Sequence, residues 1–358
     1  MKSNYRYIVK AFMAMAVIAG TTSCDDFLDR EPMSSISPET YYSTAAQLEA
    51  NLNDEYPNVL PSFGQWTYGI FGEDKGTDNQ IEVNANDRYT QDRWKVPHSE
   101  SDNWKFERIY RINFFLSEAL PKFGEDMSGS QNTISGSVAT IKHYIGEMYF
   151  LRAYEYFKKL QLFGDFPIID QPLADEMEAL REASKRFPRN EVARFIISDL
   201  DKAYAYMSDV DMATTRINKD AAMLVKSRVA LFEATWLQNF KGTAFVPGGE
   251  GWPGASLHNN YQYPSGNLDN EVKYFLEQAV EASKLVADKY KGNLTENTGV
   301  LQQSADDPSN PYFDMFAQED LSDVKEVLLW RQYARGLSTH NINAAAGRGN
   351  YRIGLTLS

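Results

Sequence analysis

The chain has 358 residues, of which 43% are hydrophobic and 13% aromatic, so it can bury a large core. Its formal net charge of −13 argues against nucleic acid and anionic membrane surfaces as partners. It has one cysteine, Cys24, and therefore can form no internal disulfide.

The first 23 residues have the pattern of a secretory signal peptide. Three basic residues precede an apolar run over 11–19, and small residues then lead into Cys24. This run is too short to cross a bilayer, which needs about 20 apolar residues. The alternative is a buried helix of a cytosolic protein, which the basic and acid-free start disfavours. Without residues 1–23 the chain holds 33 Lys+Arg against 49 Asp+Glu, a formal charge of −16.

Cys24 is the predicted lipidation site. If cleavage falls before this residue, its sulfur can carry the acyl chains of a bacterial lipoprotein, and several chains anchor a protein stably. Thr21 departs from the usual processing signal, which prefers an aliphatic residue at that position. We expect contact with the membrane through the lipid anchor only, followed by an acidic tether over 24–35.

Segments with the apolar period of amphipathic helices follow through a predicted helical domain over 36–335. The predicted helices are 39–56, 104–120, 138–163, 190–207, 219–238 and 271–290. Asn190 and Asn218 are the predicted N-caps of the fourth and fifth, and Pro121 with Gly124 should close the second. Because no alternating strand pattern separates these segments, the sequence predicts an all-α body of packed helix pairs.

Two arginines lie among the apolar positions of their helices. Arg152 shares a stripe with Met148 and Tyr156, and Arg228 lies within 219–238. A buried guanidinium must be paired, so both are predicted to form structural ion pairs or bonds to carbonyl groups. The predicted core stripe of 219–238 comprises Ala221, Leu224, Val225, Leu231, Phe232 and Trp236.

Two long irregular segments, 61–98 and 241–269, are rich in aromatic residues and are the predicted ligand-binding loops. Sugars present apolar C–H faces and polar rims, so glycan receptors combine aromatic rings with Asp, Asn or Arg. Trp94 and Trp252 are the first choices for stacking. The alternative for each aromatic is a plug that pins its loop onto the helices. The candidate ligand contacts are Trp66, Asp78, Arg88, Trp94, Trp252, Tyr261 and Tyr263.

The sequence offers no motif for catalysis or for a cofactor. Its four histidines are widely separated and lack metal-ligand spacing, and there is neither a G-x-S-x-G nor a Walker loop. Carboxylates are so numerous that no pair stands out as the two acids of a glycoside hydrolase. We therefore expect a binding protein, with no cofactor, and not an enzyme.

Four motifs follow one another along the chain. The first motif comprises residues 24–29 (CDDFLD) and 39–42 (ETYY). The second comprises 146–154 (GEMYFLRAY) and 164–169 (GDFPII). The third is 196–200 (IISDL) and the fourth is 216–222 (RINKDAA). In this order they resemble the SusD/RagB family of outer-membrane nutrient-binding lipoproteins of the Bacteroidetes.

The resemblance implies tetratricopeptide-like helix pairs in a right-handed superhelix with long ligand-binding loops. It also implies a cell-surface lipoprotein that captures an oligosaccharide or polysaccharide and passes it to a TonB-dependent, SusC-like outer-membrane barrel. A peptide-binding receptor of the same fold, or a helical-repeat adaptor, is the alternative. Family members run on past the last residue here, so 336–358 are expected to be the start of an incomplete C-terminal region.

Overall fold

The computed structural model describes residues 41–61, 103–124, 126–208, 212–301 and 306–334, with a few isolated positions and two short strands outside these ranges. Strand β1 (Gln80–Glu82) pairs antiparallel with β2 (Ile353–Leu355). The rest of the regular structure is helical, which confirms the predicted all-α class. The α-helices are α1 (Ala45–Val59), α2 (Glu107–Phe123), α3 (Val138–Phe163), α4 (Met177–Ala183), α5 (Arg189–Tyr206), α6 (Lys219–Asn239), α7 (Leu268–Tyr290) and α8 (Pro311–Met315).

Side-chain caps fix where several helices begin. The Asn218 side chain accepts from the backbone N–H of Ala221, as predicted, and Ser137 caps α3 in the same way. The predicted helix over 39–56 begins only at Ala45, because Thr44 and Gln47 form a reciprocal capping box there.

Two predicted helix boundaries are wrong. Asn190 is not the N-cap of α5: the helix starts directly after Pro188, whose fixed φ suits a helix start, and Asn190 is buried inside the first turn. Helix α2 continues through Pro121 to Phe123, and only Gly124 ends it. The short helices α4 and α8 carry too few periodic residues to be predicted.

The long helices are arranged around α3, with α2 and α5 antiparallel to it and α1 parallel to it. Helix α3 contacts α1, α2 and α5; α5 in turn packs on α6, and α6 on α7. Arg189 at the start of α5 meets Glu233 near the end of α6, and Lys289 near the end of α7 meets Asp220 near the start of α6. Consecutive long helices therefore form the predicted pairs. No helix of the described ranges is long and apolar enough to cross a membrane.

The buried face of α6 differs from the predicted stripe. Leu224 and Leu231 are 42% and 51% exposed, whereas Ala230 and Ala234 are fully buried. Small residues allow α6 to lie close to its neighbours, so the leucines turn outward. Arg228 lies on the same exposed side, and its predicted buried pairing is wrong.

Candidate functional site

Residues 240–267, here called the α6–α7 loop, are held in place by side-chain hydrogen bonds, some to the helical body and some within the loop. The indole N–H of Trp236 donates to the carbonyl oxygen of Phe245 at 3.0 Å. The hydroxyl of Tyr263 donates to the carbonyl oxygen of Pro247 at 2.5 Å. At the far end, Ser265 accepts from the guanidinium of Arg194 at 2.6 Å. These bonds give a long segment one defined conformation.

Trp252 is the central anchor of this loop. Its indole N–H donates to Asp165 Oδ2 at 2.7 Å, and its ring centroid lies 6.0 Å from that of His258. Gly254 approaches the ring so closely that an added Cβ would lie 2.2 Å from it. Only 5% of the Trp252 residue is exposed. These contacts are those expected of an aromatic plug that pins the loop onto the helices, the alternative to a stacking role.

Tyr261 also binds the loop to helix α5, and Tyr263 packs against Tyr261 within the loop. The Tyr261 hydroxyl donates to Asn190 Oδ1 at 3.1 Å, and its ring lies 5.6 Å from that of Trp252 and 5.2 Å from that of Tyr263. Burial raises the pKa of both phenols, so each stays a neutral hydrogen-bond donor. The structure therefore brings three of the predicted ligand residues together, as one aromatic cluster beneath the loop.

A cavity of about 480 Å³ opens beside this cluster, between the α6–α7 loop and the chain that follows α3. We call it the loop cleft. This volume lies in the range of small-ligand sites. Its walls combine aromatic rings with three charged side chains, and Phe245 is 60% exposed at its edge. The residues that define it are Phe163, Asp165, Arg186, Arg189, Trp236, Phe245 and Trp252.

The charged groups of the loop cleft are held in place by partners. Arg189 pairs with the buried Glu233 at 2.9 Å, and its guanidinium lies 4.1 Å from the Trp236 ring centroid. Burial raises the pKa of Asp165. The hydrogen bonds that Asp165 accepts from Trp252 and from the backbone of Arg189 lower this pKa, but burial outweighs them. The guanidinium of Arg186 lies over Trp104 at 4.5 Å. The cleft thus offers fixed hydrogen-bonding groups between aromatic walls, the combination that suits a sugar.

The remaining predicted site residues, Cys24, Trp66, Asp78, Arg88 and Trp94, lie outside the described residues. Sequence reasoning missed Asp165, Arg186 and Phe245. Asp165 could have been noticed, since it belongs to the motif over 164–169 that follows α3. Arg186 and Phe245 carry no such signal because only the tertiary fold brings them together. Within the ranges listed above, no group of three or more His, Cys, Asp or Glu could hold a metal ion.

Comparison with known proteins gives a consistent result. Residues 26–231 match a SusD-like family described as starch-binding and associating with the outer membrane. The chain is 25% identical over 253 residues to SusD-like protein P2 of Formosa agariphila, covering 67% of this chain and 46% of that protein. It is also 25% identical over 233 residues to SusD-like protein P25 of the same organism, covering 60% and 41% of the two chains.

Solved structures of similar description also match. A SusD-like carbohydrate-binding protein from Bacteroides fragilis aligns with a TM-score of 0.46 and 15% identity, covering 72% of this chain and 42% of that one. The chain spans less than half the length of the curated relatives that it matches.

Proposed function

The chain belongs to the SusD-like family, and on that premise we propose that it is a cell-surface receptor that captures an oligosaccharide or polysaccharide. The family match over 26–231 carries this proposal, because it covers more than half of the chain and the family is described as starch-binding. We propose the loop cleft as a place of sugar contact. Phe245, which is exposed at its edge, offers a ring face, while Asp165 and Arg186 offer polar groups.

A peptide receptor of the same fold would need a site dominated by charge. In the loop cleft, Arg189 is neutralised by Glu233, and aromatic side chains form much of the wall. This composition favours a glycan over a charged peptide at this site. Trp252 also lines this cleft, and a role of its ring in sugar stacking is part of the proposal.

We further propose attachment to the outer membrane through lipid on Cys24 and delivery of the glycan to a TonB-dependent, SusC-like barrel. The basic and then apolar start of the chain supports lipid attachment at Cys24. Mass spectrometry of the native N-terminus tests it, since an intact Met1 or an unmodified Cys24 thiol would contradict lipidation. Delivery to the barrel is tested by co-purification of such a barrel with this protein from mildly solubilised outer membranes. A preparation without the barrel would argue against delivery.

Affinity electrophoresis of the folded chain through gels containing a panel of polysaccharides tests the binding function. We expect retardation by at least one polysaccharide and recovery of that glycan at unchanged length, because we assign no catalytic residues. Unretarded migration through every gel would contradict glycan binding. Shortened glycan products would contradict the assignment as a binding protein rather than an enzyme.

A further inference from the structure

The charged groups of the loop cleft favour a ligand that accepts hydrogen bonds. Among the described residues that line the cleft, two arginines, Arg186 and Arg189, accompany one carboxylate, that of Asp165. Both oxygens of Asp165 already accept a hydrogen bond, Oδ2 from the indole of Trp252 at 2.7 Å and Oδ1 from the backbone N–H of Arg189 at 2.9 Å. The cleft is therefore better prepared for an anionic acceptor than for a donor.

The guanidinium of Arg186 forms no ion pair with any residue in the described part of the chain. It lies over the ring of Trp104, 4.5 Å from the ring centroid. An arginine stacked on an aromatic ring keeps the N–H groups at its edge free to donate. Two of these groups can bind two oxygens of one carboxylate or sulfate at once. Arg186 is exposed, so a ligand in the cleft can reach it.

The fold holds Arg186 in place through its backbone and through the ring beneath it. The carbonyl oxygen of Arg186 accepts from Nε2 of His258, in the α6–α7 loop, at 2.7 Å. The next residue, Phe187, exchanges two backbone hydrogen bonds with Phe166, at 3.0 and 3.2 Å. Trp104 in turn packs edge-on against three phenylalanine rings. A charged group that is already positioned in this way loses little freedom when a ligand binds, which favours affinity.

Arg189 adds a second donor to the cleft. Its Nε and Nη2 donate to Glu233 at 2.9 to 3.1 Å, whereas its Nη1 makes no hydrogen bond within the described residues. Nη1 lies beside Gly164, another residue of the cleft wall, where an added Cβ would come within 3.4 Å of it. Only 4% of Arg189 is exposed, so few positions other than the cleft can supply an acceptor for Nη1.

We propose that the glycan bound in the loop cleft is acidic and that Arg186 binds its carboxylate or sulfate group. The inference rests on the proposed glycan-binding function and names the class of sugar. Arg189 Nη1 would donate to a further oxygen of the same sugar, while the ring of Phe245 would contact its apolar face. The whole chain has a formal charge of −13, so it does not attract polyanions in general. Binding of an acidic glycan would therefore report a specific site.

The test applies the full chain to an array of matched oligosaccharides. The array holds galacturonate and mannuronate oligomers with their methyl esters, carrageenan oligomers with their desulfated forms, and neutral glucans. We expect binding to at least one acidic oligosaccharide and at least ten-fold weaker binding to its neutral counterpart, which lacks the charge-assisted bonds. Binding to a uronate would identify the anionic group as a carboxylate, and binding to a carrageenan would identify it as a sulfate.

Isothermal titration of that acidic oligosaccharide then tests the role of Arg186. Arg186→Gln should weaken its binding ten-fold or more, to the level of the neutral counterpart, with an unchanged circular dichroism spectrum. Arg186→Lys keeps the charge and should restore part of the affinity. Arg181→Gln is the matched control, since the Arg181 side chain is 69% exposed and lies outside the cleft, and it should bind like the parent.

The outcomes separate this inference from the function on which it rests. Binding to neutral glycans alone, or equal binding to an acidic oligosaccharide and its neutral counterpart, would overturn the inference and leave a glycan receptor. Equal affinity of the parent and Arg186→Gln for the acidic oligosaccharide would overturn the role of Arg186. Binding to no glycan at all would contradict the proposed function itself.

Discussion

Arg152 of α3 and Asp199 of α5 form a two-pronged ion pair inside the core. Arg152 Nε donates to Asp199 Oδ2 at 2.6 Å, and Nη2 donates to Oδ1 at 2.8 Å. A third donor, Nη1, bonds to the side chain of Asn113 and to the carbonyl oxygen of Asp170, both at 2.9 Å. The pair thus joins α2, α3 and α5 and confirms the predicted buried, paired arginine.

Arg152→Met should destabilise the fold by roughly 3 kcal/mol or more, because it leaves the Asp199 carboxylate buried without its partner. Chemical denaturation at neutral pH measures the free energy of unfolding. Arg228→Met is the matched control, since Arg228 is exposed and should change this free energy little. Adding Asp199→Leu to Arg152→Met should recover part of the loss. A stability of Arg152→Met equal to the parent would contradict the account of this core.

Glu271 should make the stability of the α6–α7 loop depend on pH. Although burial alone would raise its pKa, bonds from Arg194, Asn190 and Ser265 outweigh burial and hold the pKa below the ordinary value of 4.5. A carboxyl group with a depressed folded-state pKa stabilises the fold above its unfolded pKa and loses this contribution as pH falls.

The stability difference between the parent and Glu271→Gln should therefore be largest near neutral pH and shrink below about pH 4.5. Denaturant unfolding across this range measures it. Glu277→Gln provides the control, because Glu277 lies on the same helix with an exposed side chain. A difference that stays constant with pH would show that the carboxylate charge plays no part.

Gly146→Ala should separate α3 from α5. An added Cβ would lie 2.8 Å from the backbone nitrogen of Met207 and 2.9 Å from the carbonyl oxygen of Ala203, and backbone atoms cannot move aside cheaply. We expect a loss of about 1–3 kcal/mol in unfolding free energy, the usual cost of overpacking. Gly292→Ala, whose Cβ would meet nothing within 4 Å, should be neutral in the same thermal or chemical unfolding assay.

Trp252→Phe should loosen the α6–α7 loop while the helical body stays folded. It removes the indole donor and leaves Asp165 Oδ2 without the bond from Trp252, at a cost of about 1–3 kcal/mol. Hydrogen exchange should therefore become faster over 240–267 and stay unchanged in α3. Unchanged protection of the loop would show that the Asp165 bond does not hold it.

The sequence predicted the helices well where periodicity is long, as in α3, whose bounds match the expected 138–163. The prediction failed where contacts with residues distant in sequence decide which side chains are buried. Leu224 and Leu231 look like core residues of α6, but the alanines Ala230 and Ala234 occupy its fully buried face. Trp252 is predicted as a stacking residue, and the structure shows it anchoring its loop, because no local pattern reveals that Asp165, far away in sequence, engages its indole nitrogen. Whether its ring also stacks on a sugar stays a prediction.

The measurement that tests the account most directly is the affinity of Phe245→Ala for a polysaccharide that retards the parent chain. A stacked ring contributes about 1–3 kcal/mol, so removal of this exposed side chain from the loop cleft should weaken binding roughly ten-fold, with the circular dichroism spectrum unchanged. Phe316→Ala removes a ring that is 72% exposed and lies outside the cleft, and it should bind like the parent. If Phe245→Ala binds as tightly as Phe316→Ala and the parent, the loop cleft is not the glycan site.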